Sequence, residues 1–187
     1  MNLLVDKLPT EYEGLKIDTN FRSFILFELL MQDKEIEKED KIFLALNLFF
    51  EELPKDIKKG VDAILWFYSK GKHKNDKVVE ENTKKKKNKK IYSYEYDADL
   101  IYTAFLDQYK IDLNDIKYLH WFKFKAMFEG LKSDNKICEI MGYRAIDLSK
   151  IKDKEEKKRY KKLQREYALP DDRTEEEKEQ DFAEAFW

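Results

Sequence analysis

Apolar residues recur along most of this chain at three- and four-residue intervals, the spacing that lines one side of a helix. The start differs. Tyr12 and Leu15 to Ile17 flank Glu13-Gly14, which predicts a turn between two short strands. Thr19 or Asn20 is placed to cap a helix carrying Phe21, Phe24, Ile25, Leu26, Phe27, Leu29 and Leu30. A second helix is predicted from about Asp40 to Leu53, with Ile42, Leu46, Phe49 and Leu53 on its apolar stripe. Pro54 should end it, because proline lacks an amide donor and crowds the preceding turn. A third is predicted from Lys55 to Ser69 on the spacing of Ile57, Val61, Ile64, Leu65 and Tyr68, with Gly71 as its stop.

The pattern resumes at Ile91. Asp97 is the expected cap of a helix bearing Leu100, Ile101, Ala104 and Phe105. Asp112 or Asn114 is expected to open a longer one, ending near Gly130. Its residues Ile116, Leu119, Trp121, Phe122, Phe124, Met127 and Phe128 are apolar on more than one side, which suits the middle of a bundle. Ser133 should cap a short helix with Ile137, Ile140 and Met141, terminated by Gly142. After Ser149 a highly charged helix is expected to about Tyr167, carrying Ile151, Tyr160, Leu163 and Tyr167, and broken by Pro170. In the acidic tail, Thr174 and Glu177 fit a capping box, and Phe182, Phe186 and Trp187 give that helix an apolar end. The expected fold is mainly α: a helical bundle of about seven to eight helices with a small N-terminal β-hairpin. Four parts are expected: the hairpin plus three helices (1–70), a Lys-rich loop (71–93), a second helical half packed on the first (94–169) and the acidic tail helix (170–187).

Charge sharpens this picture. The 187 residues hold 37 Lys+Arg and 39 Asp+Glu, a net charge of −2 at pH 7. So balanced a sum argues against a protein that coats nucleic acid. Within it the charges are blocked. Residues 71–90 contain nine Lys against three Asp or Glu, with only Val78 and Val79 apolar, too little to offset the entropy of ordering. Nucleic-acid binding through Lys84 to Lys90 ranks below a solvated loop, since that run has no aromatic side chains on which bases could stack. Lys150 to Glu166 has nine basic and four acidic residues, and Asp171 to Trp187 has eight acidic and two basic; these opposite charges could dock on one another. No apolar run approaches the roughly 20 residues of a membrane span, and the first residues lack the pattern of a signal peptide, so a cytoplasmic protein without a membrane partner is expected.

The sequence offers little for catalysis. Cys138 is the single cysteine, and the two histidines are His73 and His120. A disulfide within the chain and a cysteine-based metal site are therefore excluded. His73 lies in the Lys-rich stretch, a poor place to preorganise a base. Cys138, between Ile137 and Ile140, reads as a buried structural thiol, and His120, beside Leu119 and Trp121, as a hydrogen-bonded packing residue. Asp97 and Asp99, two apart on a helix, diverge and make no metal pair. Gly-rich nucleotide loops and hydrolase motifs are absent from the sequence. No catalytic residue, metal ligand or cofactor is assigned, and a non-enzymatic role is expected.

Tyr94-Glu95-Tyr96-Asp97-Ala98-Asp99-Leu100-Ile101-Tyr102, Phe105-Leu106-Asp107-Gln108-Tyr109, Leu119-His120-Trp121-Phe122-Lys123-Phe124 and Ile140-Met141-Gly142-Tyr143-Arg144-Ala145-Ile146-Asp147-Leu148 together resemble a bacteriophage family named for gene product fifteen. Asp18-Thr19-Asn20-Phe21-Arg22, Leu65-Trp66-Phe67-Tyr68 and Tyr167-Ala168-Leu169-Pro170 extend the likeness over roughly Leu3 to Pro170. Phe122 stands where a second tryptophan would be expected, a change that keeps aromatic volume. The resemblance implies a tail assembly chaperone of long-tailed phages of Gram-positive hosts, acting in the host cell cytoplasm. It would cover the apolar, helical tape measure protein until tail tube subunits polymerise around it. Further copies of the chain, or a longer frameshifted form, are additional expected partners. A structural virion component, such as a tail-completion or connector subunit, is the alternative. The candidate partner-binding residues are Phe182, Phe186 and Trp187, with Tyr143 and Arg144; an Arg144–Asp147 pair inside the fold is the competing account of Arg144.

Overall fold

The computed structural model describes residues 2–71 and 90–170. The Lys-rich stretch 72–89, with His73, and the acidic tail 171–187 lie outside the described residues. Among the described residues there are seven α-helices, one short 3-10 turn and one two-stranded antiparallel hairpin. The chain is mainly α, as the periodicity implies.

Strands β1 (Glu11–Tyr12) and β2 (Leu15–Lys16) pair Glu11 with Lys16 and Tyr12 with Leu15. Their two-residue link has Glu13 at φ 48° and Gly14 at φ 80°, the left-handed pair that a tight hairpin of this twist needs. Helix α1 (Phe21–Gln32) is capped by Asn20, whose side chain accepts from the Arg22 amide. Helix α2 (Lys38–Phe49) stops short of the expected Leu53. The Phe49 carbonyl accepts from the Asp18 amide at 2.9 Å, and Phe50 turns extended and buries its ring. Pro54 comes too late to end that helix; it is buried over Gly60 instead.

Helix α3 (Ile57–Tyr68) is capped by Asp56. It closes with Lys70 N–H donating to the Phe67 carbonyl and Gly71 N–H to that of Trp66, the double bond of a Schellman ending. The left-handed residues are Lys70 at φ 57° and Gly71 at φ 77°. The buried faces of α2 and α3 differ from the expected stripes. In α2 they comprise Ala45, Leu46 and Phe49, leaving Ile42 exposed, and Leu53 lies exposed beyond the helix end. In α3 they comprise Gly60, Ala63, Ile64 and Phe67, with Ile57 and Leu65 exposed. Small residues carry no apolar signal of their own, yet Ala63 is fully buried and it is at Gly60 that Pro54 and Leu46 approach closely.

Helix α4 (Ala98–Tyr109) follows Asp97, and α5 (Trp121–Glu129) is shorter than expected. Residues 112–119 are not helical; Asp112 accepts from the Asn114 amide and from the Tyr102 hydroxyl, making a turn. The helix begins only at Trp121 because residues 119 and 120 are held extended against 19 and 20. Phe21 N–H donates to the Leu119 carbonyl at 2.9 Å, and Trp121 N–H to the Thr19 carbonyl at 2.8 Å. Helix α6 (Lys136–Ala145) follows Asn135 rather than Ser133 and runs through Gly142 without stopping. A 3-10 turn at Leu148–Lys150 leads to α7 (Lys154–Glu166), capped by Asp153.

One cluster of buried side chains draws on both sides of residues 72–89. Helix α5 sits at its centre, burying Trp121, Phe122, Phe124 and Phe128. Trp121 stacks on Phe24 at 4.9 Å between centroids, and Phe124 stacks on Phe21 at 4.9 Å and Phe105 at 5.1 Å. Such large rings bury much area for few residues, which is how a chain with 41% charged residues builds a core. No helix among the described residues is long and apolar enough to cross a membrane.

Candidate functional site

Arg144 is inside the molecule. Its guanidinium forms a two-pronged pair with Asp97, Nη1 to Oδ2 at 2.6 Å and Nη2 to Oδ1 at 3.0 Å. It also donates to the carbonyls of Tyr167 at 2.6 Å and Ile91 at 3.1 Å. Asp97 in turn accepts from the Ser93 amide at 2.9 Å. The acid at the start of α4 therefore serves as the arginine's counter-ion and makes no side-chain bond to its own helix. An internal pair was the right account of Arg144 with the wrong acid: Asp147 accepts from Ser149 instead. Held by four acceptors, this arginine joins α4, α6, the end of α7 and the chain entering at Ile91. Tyr143, half-buried, packs near Tyr160 and Tyr167 of the same clasp. Phe182, Phe186 and Trp187 lie outside the described residues.

His120 has the packing role its neighbours suggest. Its Nδ1 accepts from the Phe122 amide at 3.1 Å, capping α5. Nε2 faces the Pro9 carbonyl at 2.9 Å, so these partners assign the proton to Nε2. Burial pushes its pKa below the ordinary histidine value, opposed by the Pro9 contact and aided by nearby Lys123. Cys138 is half-buried, and burial raises its thiol pKa, the reverse of what a nucleophile needs. Asp97 and Asp99 share no site, and no group of three His, Cys, Asp or Glu among the described residues could hold a metal ion.

The feature with something left to do is the outer face of α2. Ile42, Phe43 and Leu44, three large apolar residues in a row, are 47%, 56% and 43% exposed. Phe43 and Leu44 face away from the side buried against the core by Ala45, Leu46 and Phe49, whereas Ile42, one turn before Leu46 on that buried side, is exposed near the helix start. Phe43 and Leu44 line an open groove with Ile36, Glu35, Glu37 and Asp40. A second groove lies at the other end of α2, between its last turn and β2, with Asn47, Leu48, Glu51 and Glu52 in its wall. Scattered apolar residues are normal on a surface, whereas a contiguous stripe marks an interaction. Sequence reasoning missed this site by leaving Phe43 and Leu44 unplaced. Two adjacent apolar residues flanking a buried stripe were the available signal.

A family model described as Bacteriophage Gp15 protein matches residues 4–169. No curated protein and no solved structure matches the chain.

Proposed function

The chain belongs to the bacteriophage Gp15 protein family, and on that footing we propose that it is a tail assembly chaperone that binds and shields the phage tape measure protein. It acts by binding, in the host cytoplasm, without catalysing a reaction and without a cofactor. The observation that carries this reading is the exposed pair Phe43 and Leu44 on a helix whose other side is already buried. A tape measure chain is long, helical and amphipathic, and its uncovered apolar stripes would aggregate. A helix laid against α2 would have those stripes covered. The 41% of charged residues would keep the complex in solution. The contact must also be released when the tube assembles, which favours a shallow, exposed surface over deeply buried anchors.

Co-expression of the chain with the tape measure protein of the same phage tests the reading. The expected result is a rise in soluble tape measure and its recovery in a pull-down. Equal solubility with and without the chain would refute it. Mass spectrometry of purified particles separates a chaperone from a structural subunit: the chaperone is absent from finished tails, whereas stoichiometric recovery would assign a virion component.

A further inference from the structure

The chaperone reading leaves open what kind of helix α2 accepts. Asp40, Phe43, Leu44, Asn47 and Leu48 share one face of α2, with Ile36 just before the helix and Glu51 just after it. Its middle is apolar and its two ends are acidic. Glu35, Glu37 and Asp40 line the groove at the start, and Asp18, Glu51 and Glu52 the groove at the end. Lys16 is the single base in either lining. Lys41 is turned away, donating to the Met31 carbonyl. A carboxylate rim around an apolar strip repels acidic partners and favours cationic ones before and after contact.

We propose that the outer face of α2 binds an amphipathic helix of another polypeptide whose apolar stripe is flanked at both ends by basic residues. From Asp40 to Phe49, the last residue of α2, the helix rises about 14 Å at 1.5 Å per residue, and Glu51 lies just beyond that end. The basic groups of the occupant therefore lie at the two ends of its apolar stripe, at least that far apart. The chain's own segments fit less well. The tail 171–187 carries eight acidic residues against two basic, the same sign as the rim. Helix α7 is basic, but Tyr160 near Tyr143 and Gln164 bonded to the Tyr143 and Ile146 carbonyls commit its inner side to α6. A second copy docking through α7 would thus offer charge without apolar side chains.

The inference rests on the chaperone reading only for the partner's identity, and the test keeps the two apart. An 18-residue labelled peptide with a Leu stripe and Lys pairs eleven positions apart is titrated with the full chain at low salt, followed by fluorescence anisotropy. A second peptide carries Glu in place of Lys. The Lys peptide should bind at least tenfold tighter than the Glu peptide. Phe43→Asp, at a position exposed enough to leave the fold intact, should weaken Lys-peptide binding at least tenfold, and Leu44→Asp should do the same. Glu37→Lys, Glu51→Lys and Glu52→Lys together should reverse the preference. Unchanged affinity in Phe43→Asp, or a preference that survives the charge reversal, overturns the proposal. So does a wild-type dimer that Phe43→Asp dissociates and the peptide does not displace, which would assign the face to a second copy. If Phe43→Asp still rescues the tape measure as well as wild type, this inference fails while the chaperone reading stands. If the peptides behave as expected and the tape measure is not rescued, the chaperone reading fails and the helix site remains.

Discussion

Replacing Arg144 by alanine removes four charge-assisted donations at once and leaves Asp97, 3% exposed, with the Ser93 amide as donor. The loss should come mainly from that uncompensated buried carboxylate, because breaking a buried pair by deleting one partner costs about 3–5 kcal/mol. The Tyr167 and Ile91 carbonyls also lose a donor. Arg144→Lys should recover only part, since an ammonium cannot reproduce the two-pronged geometry or reach all four acceptors. Removing both charges, as Asp97→Leu with Arg144→Met, should be much milder than either single loss. Urea unfolding of wild type, both alanine variants and the double alanine variant completes the cycle, and a coupling of a few kcal/mol is expected. A cost for Arg144→Ala below about 1 kcal/mol, with helical content unchanged, would refute the reasoning that this pair clasps the second half of the molecule.

Two glycines should respond in opposite directions. A Cβ at Gly60 would meet Pro54 Cγ at 2.6 Å and Leu46 Cδ2 at 2.8 Å, so Gly60→Ala should lose about 1–3 kcal/mol to overpacking despite alanine's better helix propensity. A Cβ at Gly142 meets nothing within 4 Å, and Gly142→Ala should gain about 0.5–1 kcal/mol; thermal melts of both variants check the signs. His120 makes the protein acid-sensitive. Its folded pKa lies below the ordinary value, so its contribution is complete above about pH 6.5 and is lost as pH falls through the folded value. Protonation at Nδ1 also replaces the acceptor that caps α5 with a donor. His120→Asn should be less stable at pH 7.5 yet lose less between pH 7 and 5 than wild type, as measured by urea midpoints; parallel curves would refute this.

Sequence reasoning succeeded where a local cause suffices. The hairpin needs Glu13-Gly14, α1 needs the Asn20 cap, and α5 is central because its apolar residues surround it. Boundaries failed where a distant partner decided them. Asp18 takes the last carbonyl of α2, and the pairing of 19–20 with 119–120 delays α5 until His120, an unusual cap, can start it. Gly142 suggested a stop because glycine often ends helices, but no left-handed turn is required there and α6 runs on.

The candidate site divides along the same line. By itself the sequence determined the helical class, the central position of the Trp121 to Phe128 segment and the family, because these depend on periodicity and on residue order. Only the tertiary structure decided that Arg144 is spent on Asp97, 47 residues away, and that α2 turns Ala45 and Leu46 inward while Phe43 and Leu44 face out. The physical reason is that helical spacing says which residues share a side, whereas burial depends on which side the neighbouring helices leave open. A glycine or alanine that permits close approach weighs as much in that choice as a phenylalanine that fills the space.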